Sequence, residues 1–110
     1  MVNKILSATG IPYKETRFLK PPKTTYAIFN DSIDRRGGDN INLLSQHDVS
    51  IELYEYTKDP DAEKALESQL DANGIEYHKE PRYWINEEQL YQVVYDFTYF
   101  EKGGLENVNT

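Results

Sequence analysis

The residues that could do chemistry in this chain are two histidines and many carboxylates. His47 stands at the entrance of a predicted strand, and His78 stands in a polar run. A metal site needs three or four ligands with mutual geometry, and neither histidine has neighbours at ligand spacing. Ser45, His47 and Asp48 have the residue types of a catalytic triad, but they are too close on one extended segment to converge. We therefore predict no metal site and no catalytic residues.

The carboxylates do not change this interpretation. A catalytic pair requires one carboxyl group that is buried and has a shifted pKa, and most of the acidic residues are predicted at solvent-facing helix or turn positions. Asp96 lies within an aromatic strand, where period-2 alternation directs it away from Tyr95 and Phe97. The chain also has no cysteine, which excludes a thiolate nucleophile, a thiolate metal site and a disulfide framework. We expect no enzyme and no cofactor.

The composition predicts one small domain. With 110 residues, the chain is long enough to bury a core without disulfides or metals, and we assign residues 1–102 to a single domain and residues 103–110 to a flexible tail. No apolar run is long enough to cross a membrane, and the N-terminus lacks the pattern of a signal peptide. The net charge of −7 disfavours general nucleic-acid binding, because such binding depends on neutralising phosphates.

The clearest structural pattern is a strand, a stop and a capped helix between Gln46 and Gly74. Asp48 to Tyr56 alternates apolar and polar residues, which indicates a strand with one face on a core. Asp59 is a good N-cap with Pro60 behind it, and Gly74 suits the position after the helix. The apolar strand face is expected to meet the apolar helix face in the core, with these members: Val49, Ile51, Leu53, Leu66 and Leu70.

The rest of the chain supplies further strands and one short helix. We predict a helix over residues 2–9, extended segments over 13–18 and 75–85, and strands over 24–29 and 90–100. The fold class is α+β: a mainly antiparallel sheet of about four strands, with the main helix Asp59–Asn73 and the short N-terminal helix packed on it.

Two surfaces are candidates for contacts with other molecules. Residues 30–40 are polar, contain Gly37-Gly38 and are predicted to form a long loop. Its charges nearly balance, with the members Asp31, Asp34, Arg35, Arg36 and Asp39. The second candidate is the polar face of the central strand, formed by Glu52, Tyr54 and Tyr56, where a partner subunit could bind.

The order of these patterns resembles the tail-completion, or tail-terminator, proteins of long-tailed bacteriophages and prophages. The resemblance covers about residues 1–102 and is carried by these segments: residues 25–29, the strand 47–54, the helix segment 65–70 with its end at 73–75, and the strand 90–97. It implies a homo-oligomeric, possibly hexameric, ring that caps the tail tube and joins it to the head. The charged segment 31–39 would contact a neighbouring subunit, the tube or the lumen.

The resemblance also implies partners and a location. The partners would be other copies of the chain, the tail tube and head-connector proteins, with DNA passing through the lumen without specific binding and no membrane involved. The protein would belong to the virion at the tail–head junction and to the host cytoplasm during assembly. The alternatives are another head–tail connector or neck protein, and a small ligand-binding or regulatory α+β module.

Overall fold

Two long antiparallel pairings organise the fold. The computed structural model describes residues 1–36 and 44–102. Its elements are α1 (Val2–Thr9), β1 (Tyr13–Glu15), β2 (Tyr26–Arg36), β3 (Leu44–Glu55), α2 (Pro60–Ala72), β4 (His78–Lys79), β5 (Tyr83–Ile85) and β6 (Leu90–Lys102). The α+β class with two helices is confirmed, and the mainly antiparallel sheet has six strands rather than about four. The predicted tail, 103–110, lies outside the described residues.

The sheet has the strand order β1-β2-β3-β6-β4, and β5 also pairs with β6. β2, β3 and β6 are antiparallel neighbours that stay in register over almost their whole length. β1 runs parallel to β2 at one edge, whereas β4 and β5 run antiparallel to β6 at the other. The connection between β1 and β2, residues 16–25, is called the β1–β2 loop below.

The helices and the apolar side chains of the sheet form one core. Leu53 and Leu66 are both fully buried, and β3 and β6 lie in one sheet, as predicted. Side chains alternate along a strand, so the odd-numbered residues of β2, β3 and β6 point to the helices. The core contains Val2, Ile5, Leu6, Ala27, Phe29, Val49, Ile51, Leu53, Leu66, Leu70, Ile75, Val93, Tyr95 and Phe97. The opposite side of the sheet, made by the even-numbered residues, is called the outer face.

Local sequence explains where α2 begins and ends. The Asp59 side chain accepts a hydrogen bond from the Ala62 N–H, which satisfies one of the free donors of the first turn. At the other end Gly74 has a left-handed φ of 68°, and the N–H of Ile75 donates to the Leu70 carbonyl oxygen. This is a Schellman termination, and it directs Ile75 back to the core.

The loop predicted over residues 30–40 is wrong for its first part, because β2 continues to Arg36. β3 likewise begins at Leu44 rather than at Asp48, and it ends at Glu55, so Tyr56 lies beyond the strand. The sequence of this hairpin shows little alternation of apolar and polar residues, but each residue of the two strands pairs with a residue of the neighbouring strand. Backbone pairing therefore outweighs the turn propensity of the side chains.

Beyond the core the three long strands continue as what we call the distal ribbon: residues 32–36, 44–48 and 98–102. β1 pairs with β2 only at residues 27–29, and β4 and β5 pair with β6 only between residues 90 and 96. Within the described part of the chain, the outer edges of residues 30–36 and 97–102 therefore have no neighbouring strand. Open edges of this kind are templates for pairing with another chain.

Candidate functional site

The charged residues predicted to share one loop lie instead on two faces of the distal ribbon or beside it. Asp31 and Arg35 are on the helix-facing side of β2, and Asp34 is on the outer face, because strand residues alternate. Arg36 pairs with Leu44 along the backbone. The fifth predicted residue, Asp39, lies outside the described residues. The structure therefore does not bring these residues together as one charged patch.

Asp31 instead belongs to a polar cluster around the buried His47 ring. The His47 Nδ1 atom lies 2.8 Å from Asp31 Oδ2, and Nε2 lies 3.1 Å from Glu101 Oε1. The imidazole also stacks on the Tyr99 ring at a centroid distance of 4.3 Å. Each ring nitrogen of His47 therefore faces one carboxylate. The cluster joins β2, β3 and β6 at the point where the apolar core ends.

Two of the three residues predicted for the polar face of β3 lie on one face of the strand. Glu52 and Tyr54 are half-buried neighbours on the outer face. The Tyr54 hydroxyl donates to Glu52 Oε1, which also accepts from Gln92 Nε2 at 2.9 Å. Burial, followed by this hydrogen bond, raises the pKa of Tyr54. Tyr56 does not share the face, because it lies beyond the strand and its hydroxyl donates to the Pro22 carbonyl oxygen.

Neither of the described helices covers the outer face, and its centre is a shallow groove of about 420 Å³. Small polar side chains floor it, among them Asn30, Ser32 and Ser50, and it is bordered by Asp48 and Asp96. Asp96 thus points outward, as the alternation predicted. Asp34 and Glu52 extend the acidic character along the same face, so the outer face carries negative charge across all three long strands.

Two buried carboxylates escaped the sequence interpretation, which placed most acidic residues in solvent. Glu55 is fully buried, Glu63 is nearly so, and Glu63 forms ion pairs with Lys79 and Arg82. Burial, and then a hydrogen bond to Glu63, raises the pKa of Glu55 to about 7. Burial alone would raise the pKa of Glu63, but hydrogen bonds from Lys79, Glu55 and Arg82 lower it.

The spacing of the apolar residues in β3 and α2 did indicate that these two carboxylates are buried. Glu55 continues the buried series Val49, Ile51 and Leu53 at the same spacing, and Glu63 precedes Leu66 by three residues on one helix face. Arg82 lies directly before β5 and contacts both carboxylates. Glu55 and Glu63 therefore hold this segment against β3 and α2. Their contacts are structural ones. Among residues 1–36 and 44–102, no group of three His, Cys, Asp or Glu side chains is arranged to hold a metal ion.

Comparison with known proteins shows a similarity of fold to one solved structure described below. A chain from a solved structure described as "Virion of native gene transfer agent (GTA) particle" matches with a TM-score of 0.63. The match covers 90% of this chain and 84% of that chain, at 12% sequence identity. No family model and no curated protein sequence matches the chain. At this identity the likeness establishes the fold that the two chains share.

The sequence predicted no apolar run long enough to cross a membrane, and the helices of the structure bear on this prediction. Neither helix in the described ranges combines the length and apolar character that a bilayer span requires.

Proposed function

We propose that this chain is a structural assembly protein of a tailed bacteriophage or prophage, and specifically a tail-completion protein. It would form a homo-oligomeric, possibly hexameric, ring that caps the tail tube and joins it to the head. The observation that carries the proposal is the fold likeness to a chain of a gene transfer agent virion, over nine-tenths of this chain. The proposal involves binding and no chemistry, so it needs no catalytic residue.

The distal ribbon supports self-association as the mechanism. It exposes large apolar side chains on both faces, because Ile33 and Phe100 are each more than half exposed on opposite sides of the sheet. Within the described residues it also has two open edges, on β2 and on β6. Exposed apolar side chains next to open edges are a liability in a monomer, and both are covered if copies associate side by side.

The charge of the chain is compatible with a channel for DNA. A net charge of −7 and an acidic outer face repel phosphates, so DNA could pass the ring without being held. In this proposal the protein acts at the tail–head junction of the virion after assembly in the host cytoplasm. Its further partners are the tail tube and the head-connector proteins.

Native mass spectrometry and electron microscopy test the proposal directly. We expect a discrete ring, either alone at high concentration or after addition of purified tail tubes. A protein that stays monomeric under both conditions contradicts it. A ring that binds isolated head connectors but leaves tube ends uncapped would assign the chain to another position in the neck.

A further inference from the structure

The β1–β2 loop presents the most exposed large apolar side chain of the described residues. Leu19 is 87% exposed, although the loop around it is anchored. The Phe18 ring packs edge-on against Tyr26 at 5.3 Å, and the Pro22 carbonyl oxygen accepts a hydrogen bond of 2.8 Å from the Tyr56 hydroxyl. The loop therefore holds Leu19 in solvent at a defined place rather than on a frayed end.

Three cationic residues lie within four positions of this leucine in the sequence. Arg17, Lys20 and Lys23 are all exposed, and none belongs to the ion pairs found in the described part of the chain. This concentration of positive charge is notable in a chain whose net charge is −7. An apolar side chain framed by cations fits a partner surface that is acidic and has a recess.

The outer-face groove has both properties. Its volume of about 420 Å³ exceeds that of a leucine side chain, and Val49 and Phe97 contribute to its lining. Asp48 and Asp96 also line the groove, and Glu52 lies on the same face, two residues along β3 from Ser50. The groove and the loop are thus complementary in charge.

We propose that the β1–β2 loop of one copy docks in the outer-face groove of a second copy, with Leu19 in the groove and the lysines against Asp48 and Asp96. This contact rests on the homo-oligomer proposed above. The loop lies at the β1 edge of the sheet. This edge lies beside residues 30–36 of β2, where a second copy would meet the sheet if it paired through its own open β6 edge, residues 97–102. The contact joins two different surfaces, as a ring requires.

Site-specific cross-linking tests the contact, since the chain contains no cysteine. Leu19→Cys is mixed with Ser50→Cys, whose side chain lies in the groove, and oxidised; the control partner is Ser68→Cys, which is exposed on α2 on the other side of the sheet. Docked cysteines have an effective concentration of about millimolar against micromolar free protein, so we expect at least about tenfold more disulfide-linked heterodimer with Ser50→Cys.

Charge-reversal variants test the proposed contact independently. Lys20→Glu combined with Lys23→Glu should abolish the preferential cross-link, and Asp48→Lys combined with Asp96→Lys in the partner should restore it. Raising the salt concentration should weaken the wild-type contact, because exposed charges are screened. Circular dichroism checks that each variant is folded.

The outcomes separate this inference from the ring proposal. Oligomers that form normally but show equal cross-linking to Ser50→Cys and Ser68→Cys overturn the loop contact and leave the ring proposal intact. A chain that is monomeric at every concentration, with and without tail tubes, overturns both. The third outcome concerns DNA. If the wild type binds double-stranded DNA, and the variant with Lys20→Glu and Lys23→Glu keeps its native mass but no longer binds it, the loop is a nucleic-acid contact and the inference is wrong.

Discussion

Replacing Glu55 by glutamine should make the protein more stable at neutral pH. The Glu55 side chain is fully buried; its Oε1 atom accepts the Asp59 N–H at 3.0 Å, while Oε2 accepts no hydrogen bond from the described residues. A buried charged carboxylate with an unsatisfied oxygen is costly. Glutamine keeps the shape and the acceptor, removes the charge and places an N–H donor where the acid form would donate to Glu63.

The magnitude follows from the pKa of Glu55, which burial raises from its ordinary value of 4.5 to about 7. Between these values the folded state keeps a proton that the unfolded state has released. The contribution of Glu55 to stability is therefore greatest below pH 4.5 and is lost as the pH rises to 7. At about 1.4 kcal/mol per pKa unit, the loss is at most about 3–4 kcal/mol, a substantial share of the roughly 5–15 kcal/mol that stabilises a small domain.

Urea denaturation at several pH values between 4.5 and 8.5 measures this loss. The single tryptophan, Trp84, is a convenient fluorescent probe, because it lies in β5 with its ring 4.8 Å from that of Tyr91. We expect Glu55→Gln to flatten the decline of the unfolding free energy and to exceed the wild type by about 1–3 kcal/mol at pH 8. The matched control is Glu87→Gln, an exposed residue. An unchanged pH slope, or an equal loss of stability at every pH, refutes the reasoning.

Three further changes test the helices, each by urea denaturation. Leu66→Ala removes a fully buried core side chain and should cost about 2–5 kcal/mol, whereas Lys64→Ala on the exposed side should change stability by less than about 0.5 kcal/mol. Gly74→Ala should cost about 1 kcal/mol from its left-handed φ alone, because an added Cβ meets no atom within 4 Å; Gly74→Asn should cost less. Asp59→Ala removes the N-cap and its bond from Thr25, and should cost about 1–2 kcal/mol.

The elements that the sequence predicted well are those where local chemistry and burial agree. α1 and α2 have their predicted bounds because glycine ends both, and because Asp59 and Pro60 begin α2. The core contact of Leu53 with the helix layer was predictable, since β3 alternates over a full strand. At these places every local preference points to the same structure.

The errors fall where sequence preference and tertiary pairing disagree. The segment from Asn30 to Arg36 is rich in turn-forming residues, and nothing in its own sequence reveals that β3 pairs with all of it. The cluster around His47 was also inaccessible, because Glu101 reaches it from a strand 54 positions away in the chain. Partners at such separations are brought together only by the fold, so residue spacing cannot reveal them.

The distal ribbon is the part of the fold that most needs a partner. Helices cover one face of the sheet up to the row of Val49 and Phe97, and beyond it the strands are joined by backbone pairing and the His47 cluster. In a single copy Ile33 and Phe100 are exposed, and within the described residues both outer edges of the ribbon are open. In the ring proposed above, the open β2 edge of one copy would pair with the open β6 edge of the next. Such head-to-tail association closes into a ring if the rotation between copies allows it and otherwise continues as a filament, so the form of the assembly is what electron microscopy has to distinguish.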